Sequence, residues 1–394
     1  MPLLGRLLAL PLQQLDAVMA ETWSAFRGSS RFSEVPPLEP SFSLLGEALL
    51  DRTFTLTTSV MTGVPLPDAM RRALDEVLAA KSFYGQKGWL DDPASYHRTP
   101  PPLEGGELFD ETTRLGVRRT HFKRLVFDSG FEPYEGEPGR ERWLEHPKNH
   151  RVHAYVLEHD EPRPWLIGVH GFAMGGPLAN FTAFNAQALH QELGLNVIMP
   201  VLPLHGPRTL GRFSGGELLE PDYLQMVHLF AQATWDVRRV ISWVKSRSDV
   251  PPALYGISLG GYISALVASF EADLSCVIAG IPAVDFPNLA RDNEPWIMQR
   301  YDDELRIDWD TVRAATHVVS PLALEPQVPH DRRFIYAGIA DRVVQPDQPR
   351  ALWRHWGHPE IHWFSGGHVL GVMDRSCTEF VARCLTQTGL SQAA

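Results

Sequence analysis

Residues 252 to 270 carry the feature that most constrains this chain. A short apolar run, Pro252-Ala253-Leu254-Tyr255, passes through Gly256-Ile257-Ser258-Leu259-Gly260 into the helix-forming stretch that continues to Phe270. A strand that turns sharply into a helix lifts the turn residue out of the sheet. That residue must then hold an unfavourable φ/ψ combination. Side chains at Gly256 or Gly260 would crowd its backbone, which gives both glycines a steric purpose. Ser258 is therefore the leading candidate nucleophile. The glycine-serine-glycine pattern recurs by accident, so the neighbouring segments must carry the rest of the reading.

Upstream, Trp165-Leu166-Ile167-Gly168-Val169 reads as a buried strand running into His170-Gly171-Phe172-Ala173-Met174-Gly175-Gly176. Such a loop can aim backbone N–H groups at a carbonyl oxygen that becomes an anion during acyl transfer. The expected donors are the amides of Phe172 and Leu259. Considered alone, a His-Gly pair is simply a turn ending a strand.

A serine hydroxyl is a poor nucleophile at its free pKa, so the reading requires a histidine base and an acid to orient it. The apolar run Phe334-Ile335-Tyr336-Ala337 feeds the turn Gly338-Ile339-Ala340-Asp341, and Pro346 stands where a following helix would start. Asp341 is the expected acid. Ile361-His362-Trp363-Phe364 reads as a strand delivering Ser365-Gly366-Gly367-His368. His368 is the expected general base.

The order Ser258, Asp341, His368 is that of the α/β-hydrolase arrangement. On His170-Gly171, the serine elbow, Gly338-x-x-Asp341 and Gly366-Gly367-His368, the sequence resembles the α/β-hydrolase superfamily of serine hydrolases over about residues 120 to 388. The resemblance implies an esterase-like or lipase-like acyl-enzyme mechanism with a Ser258-His368-Asp341 triad, a backbone oxyanion hole and no metal or organic cofactor. It leaves thioesterase, peptidase, lactonase and acyltransferase chemistry open on the same residues, and it does not name a substrate. A noncatalytic scaffold that kept the fold is the rival from another class.

Each assignment has a plainer competitor. Aspartates after strands are commonly turn formers or helix caps, which applies to Asp341 and to its rival Asp285 in Ile281-Pro282-Ala283-Val284-Asp285. His362, inside its strand, reads as a packing residue. His205 and Arg208, in Pro203-Leu204-His205-Gly206-Pro207-Arg208, read as a structural turn bordering the pocket at most.

The chain has 394 residues, 44% hydrophobic and 21% charged, enough for one large sheet-centred domain with added segments. Its net charge of -11 argues against nonspecific nucleic-acid binding. Cys276, Cys377 and Cys384 form no disulfide framework or metal-ligand pattern, and the last two are separated by roughly 10 Å of helical rise. No apolar run approaches the ~20 residues of a transmembrane helix. The leucine-rich start is followed by Pro11 and Gln13-Gln14 without a clear cleavage site, so a cytoplasmic protein acting on a small-molecule ester is expected, its oligomeric state open.

Apolar runs alternate with amphipathic segments from about residue 120, which predicts a mostly parallel eight-stranded α/β-hydrolase sheet flanked by helices. The expected strands are His121 to Phe127, Val152 to Leu157, Trp165 to Val169, Val197 to Leu202, Ala253 to Tyr255, Leu274 to Ala279, Phe334 to Ala337 and Ile361 to Phe364. Val227, Phe230, Thr234, Val237, Ile241 and Val244 lie at helical spacing and should cover the sheet. The expected organisation is a helical N-terminal extension or cap over 1–118, a core over 119–281 and 330–388, and a helical lid insertion over 282–329. In the extension, Leu12, Leu15, Met19, Trp23 and Phe26 share one helix face, and Met70, Leu74, Val77 and Leu78 another; packing on the core is expected over a cap or an interfacial membrane helix, because the polar face of the first helix is not strongly basic. Thr99-Pro100-Pro101-Pro102 followed by Gly105-Gly106 reads as a linker. The insertion carries Phe286, Trp296, Ile297, Met298 and Tyr301, which line the pocket if they face the serine and are ordinary core if they do not.

Overall fold

The computed structural model describes residues 33–39, 41–62, 67–115, 118–220, 222–293 and 308–391. Its centre is one sheet of nine strands: β1 Glu107–Leu115, β2 Arg118–Asp128, β3 Arg151–Leu157, β4 Trp165–Val169, β5 Asn196–Pro200, β6 Ala253–Ile257, β7 Cys276–Gly280, β8 Arg333–Gly338 and β9 Glu360–Phe364. Their order is β1-β2-β3-β5-β4-β6-β7-β8-β9. The six strands from β5 to β9 run parallel, and β1, β2 and β3 add antiparallel pairs at one edge. Strands β4, β5, β6 and β7 are buried at every residue, because parallel strands have both faces covered and so consist of short unbroken apolar runs.

The helices are α1 Phe42–Thr62, α2 Pro67–Gln86, α3 Arg140–Leu144, α4 Pro177–Ala183, α5 Tyr223–Lys245, α6 Leu259–Val267, α7 Phe286–Asn293, α8 Trp309–Thr316, α9 Asp347–His355, α10 His368–Gly371 and α11 Arg375–Gln387. One face of the sheet is covered by α5 and α6. Val227, Phe230, Val237, Ile241 and Val244 of α5 are all fully buried there, joined by Trp165 and Trp243, whose rings meet edge to face. The opposite face is closed by Phe181 of α4 and by Cys377, Phe380, Val381 and Cys384 of α11. The three cysteines are free and buried.

The ninth strand, β1, is the difference from the sequence expectation of eight. Its sequence, Glu-Leu-Phe-Asp-Glu-Thr-Thr-Arg-Leu, lacks an apolar run because it forms an edge hairpin with β2 and leaves Leu108 44% and Phe109 40% exposed. It is held by backbone pairing rather than by burial. Its charged residues discourage a further strand from adding to the edge.

The predicted helix carrying Leu12 to Phe26 lies outside the described residues, as do Trp296, Ile297, Met298 and Tyr301 of the insertion. In α2 the buried stripe is Met70, Ala73, Val77, Ala80 and Tyr84, whereas Leu78 is 57% exposed. The small residues at 73 and 80 let the helix approach α5 and α8 closely, which turns Leu78 outward. Tyr84 and Tyr96 hydroxyls donate to buried Glu137 Oε1 at 2.8 and 2.9 Å, tying this segment to the core. In the insertion, Phe286 packs on Phe230 and Tyr262, with ring centroids 4.8 and 5.1 Å away, and so belongs to the core.

The loop after β5 is anchored by a buried ion pair. Arg208 donates to Asp236 Oδ2 of α5 at 2.9 Å, to the Val201 carbonyl at 2.9 Å and to the Asn149 carbonyl at 2.7 Å. Ser129 Oγ donates to the other Asp236 oxygen at 2.5 Å. Removing one partner would strand the other charge without water, at a cost of about 3–5 kcal/mol. Asp236→Ala should therefore lower the unfolding free energy by about that amount in urea titration, with little change if the pair were dispensable.

Candidate active site

The turn between β6 and α6 places Ser258 at φ 57° and ψ −115°, a region that side-chain-bearing residues rarely enter. Close backbone packing maintains it. A methyl at Gly256 would lie 2.0 Å from the Gly260 carbonyl oxygen, and one at Gly260 would lie 1.8 Å from the Val169 carbonyl oxygen. The Ser258 amide donates to the Gly280 carbonyl at 2.8 Å, which pins the turn to the end of β7. The hydroxyl is left half-buried at the C-terminal edge of the parallel strands.

Strands β8 and β9 end at the same edge and deliver the other two nominated side chains. His368 Nε2 lies 2.9 Å from Ser258 Oγ, and His368 Nδ1 lies 2.7 Å from Asp341 Oδ2. A carboxylate only accepts, so the Nδ1 proton points at Asp341 and Nε2 is left to accept the hydrogen bond of the Ser258 hydroxyl. The second Asp341 oxygen accepts from the amides of Val343 at 2.9 Å and Val344 at 2.7 Å, fixing the carboxylate in its turn. Burial of His368 opposes its charged form. The charge and hydrogen bond of Asp341, aided by the charge of Asp51, outweigh that effect and hold its pKa above the ordinary histidine value.

The loop after β4 packs directly on the serine. A methyl at Gly171 would lie 3.3 Å from the Ile257 carbonyl oxygen and 3.5 Å from Ser258 Cβ, so the backbone of this loop runs against the serine turn. Leu259 is the first residue of α6, so its N–H has no acceptor within the helix. The loop is shaped by His170, which is fully buried, donates from Nδ1 to the Gly171 carbonyl at 2.8 Å and accepts from the Leu202 amide at Nε2 at 3.0 Å. Burial, reinforced by neighbouring His205, pulls its pKa down to about 3, so it stays neutral. The Phe172 ring is flanked by Phe54 of α1, Phe213 and His205, with centroids 6.2 to 6.3 Å away.

The competing candidates take structural places. Asp285 caps α7, accepting from the Asn288 amide at 3.1 Å and the Asn288 side chain at 2.5 Å. His362 stacks on Phe380 and bonds Ser376. His205 is fully buried behind Phe172, with Nδ1 on the Pro203 carbonyl. Among the described residues there is no group of three or more His, Cys, Asp or Glu side chains able to hold a metal ion, and no helix long and apolar enough to cross a membrane.

Two residues beside the site escaped the sequence reading. On α1, Asp51 is fully buried; its Oδ2 accepts from the amides of Arg342 at 3.0 Å and His368 at 2.7 Å, and its Oδ1 from Val369 at 2.9 Å. One turn earlier, Glu47 accepts from the Gly367 amide at 2.9 Å. The available signal is a carboxylate on an apolar stripe: Asp51 shares its face with the buried Leu44 and Ala48.

Comparison with known proteins agrees with this architecture. No family model matches the chain. Uncharacterized protein Rv2627c of Mycobacterium tuberculosis (strain ATCC 25618 / H37Rv) is 40% identical over 385 residues, spanning 97% of this chain and 91% of the relative. Uncharacterized protein MT2702 of strain CDC 1551 / Oshkosh matches to the same extent. Among solved structures, acetyl xylan esterase 1 from Thermoanaerobacterium sp. JW/SL YS485 superposes with a TM-score of 0.53 at 14% identity, covering 77% of this chain and 93% of that one. The acetyl xylan esterase from Paenibacillus sp. R4 gives 0.50 at 14% identity, over 74% and 98%. At such identity the likeness is one of fold. The chain thus has the α/β-hydrolase fold and belongs to the family of the two mycobacterial proteins.

Proposed function

We propose that the protein is a serine hydrolase that cleaves a carboxylic ester through an acyl-enzyme. The observation that carries this reading is the hydrogen-bonded series from Ser258 through His368 to Asp341, at 2.9 and 2.7 Å, mounted on a strained turn. His368 Nε2 takes the hydroxyl proton as Ser258 Oγ attacks the ester carbonyl, while Asp341 holds the Nδ1 proton and with it the tautomer. The negative charge that forms on the carbonyl oxygen is received by the amides of Phe172 and Leu259. Collapse of the intermediate breaks the ester C–O bond, and the departing alcohol takes the proton from Nε2. Water then attacks the acyl-serine with the same imidazole as base. The second collapse returns the proton to Oγ and frees the acid.

The aromatic cluster of Phe54, Phe172 and Phe213, built around the residue that follows Gly171, favours a substrate that carries an apolar group. The same machinery serves thioesters and amides, so the leaving group is a matter for measurement.

Ser258→Ala should abolish turnover of small chromogenic esters while the melting temperature stays close to the parent's, and a fluorophosphonate probe should label the parent on Ser258 alone. Turnover retained by the variant would reject the assignment, and a parent that is neither labelled nor active would be a scaffold. A matched panel of ester, thioester and amide with one acyl group separates esterase from thioesterase and peptidase by the ratio of kcat/KM.

The base works only when neutral, and its pKa is raised. Activity should therefore rise with pH along an acid limb whose midpoint lies above the ordinary histidine value of about 6.5. A kcat/KM profile at constant ionic strength checks this, and a midpoint below that value would contradict the arrangement of charges around His368.

A further inference from the structure

We propose that Asp51 is a positioning residue that locks the acid turn and the base loop together, an inference that rests on the hydrolase reading above. Asp341 and His368 sit on separate loops, joined near their roots by the Ile339 amide on the Phe364 carbonyl at 2.9 Å and the Ala340 amide on the Gly366 carbonyl at 3.1 Å. Beyond those two bonds and the Asp341–His368 pair itself, the loops are bridged by a carboxylate from neither. Asp51 receives one amide from the residue after the acid and two from the base loop, including the amide of His368 itself. Three donors on one fully buried carboxylate leave it little freedom, and the loops on either side take their spacing from it. The approach also needs Gly367, where a methyl would lie 2.8 Å from Asp51 Oδ2.

The same carboxylate acts on the imidazole through its charge. Burial, then the nearby Asp341 charge, raise the pKa of Asp51, whereas its three amide bonds favour the ionised form. Among the described residues, the charged and titratable groups around the imidazole are Asp341 at Nδ1, with Arg342 next to it in the same turn, and Asp51 and Glu47 from α1. Among these, Asp341 and Asp51 favour the imidazolium that forms when serine gives up its proton. A helix that merely docked on the core would need neither the three amides nor that charge.

The test compares the parent with Asp51→Asn, which is isosteric but lacks the charge and turns an NH2 toward one of the three amides. The readouts are the rate of fluorophosphonate labelling of Ser258 against pH, the KM for a chromogenic ester, and circular dichroism with thermal melting. The plateau labelling rate per folded molecule should fall about 10- to 100-fold, KM should change by less than about twofold, and the acid limb should move to lower pH. Gly367→Ala, which pushes the carboxylate away while keeping its charge, should also slow labelling, and it stands in if Asp51→Asn does not fold. An unchanged rate and limb per folded molecule, even with a lower melting temperature, would reduce Asp51 to a docking residue and overturn the inference while leaving the hydrolase reading intact. A parent whose Ser258 is not labelled at any pH would overturn both.

Discussion

The contact on which the site depends is between two pieces of backbone. Gly260 lies so near the Val169 carbonyl that any side chain would collide with it, and Gly256 stands in the same relation to Gly260. Strands β4 and β6 and helix α6 are thereby fixed at one mutual distance. The strain at Ser258 follows from that fit. Such a conformation costs on the order of 1–3 kcal/mol and persists only where surrounding structure over-determines it. Here the surroundings are strands buried at every residue and a helix that is buried throughout.

Around that rigid point the polar groups form a graded series. His170 is held neutral by burial, whereas His368, buried to a similar degree, is pushed toward its charged form by carboxylates. The difference lies in the partners. His170 meets a backbone carbonyl and a backbone amide, and His368 meets Asp341 directly and Asp51 nearby. Two histidines with opposite electrostatic surroundings, one shaping a loop and one bonded to Ser258, are thus set within one sheet edge.

Much of this was legible in the sequence for a topological reason. Parallel strands leave their C-terminal ends on one edge, so residues that follow three apolar runs converge there without any close sequence relation; Ser258, Asp341 and His368 do so. The interior strands were legible because burial on both faces demands uninterrupted apolar residues. Strand β1 was not, because an exposed hairpin edge is specified by backbone pairing, and Glu107 to Leu115 carries no period that burial would impose. Leu78 was misplaced because Ala73 and Ala80 let α2 pack more closely along a stripe shifted from the one read from its larger side chains. Asp51 was invisible because its partners are amides of residues more than 290 positions away, and any residue except proline offers an amide.

The attachment of α1 to the loop after β9 also sets an order of events during synthesis. Asp51 precedes His368 by 317 positions, so α1 is synthesised well before the loop that it holds. Until β9 has joined the sheet, Asp51 lacks the amides of His368 and Val369, two of its three donors. The strands up to β8 are therefore synthesised before His368, and α1 can meet the loop after β9 only once that loop has been made.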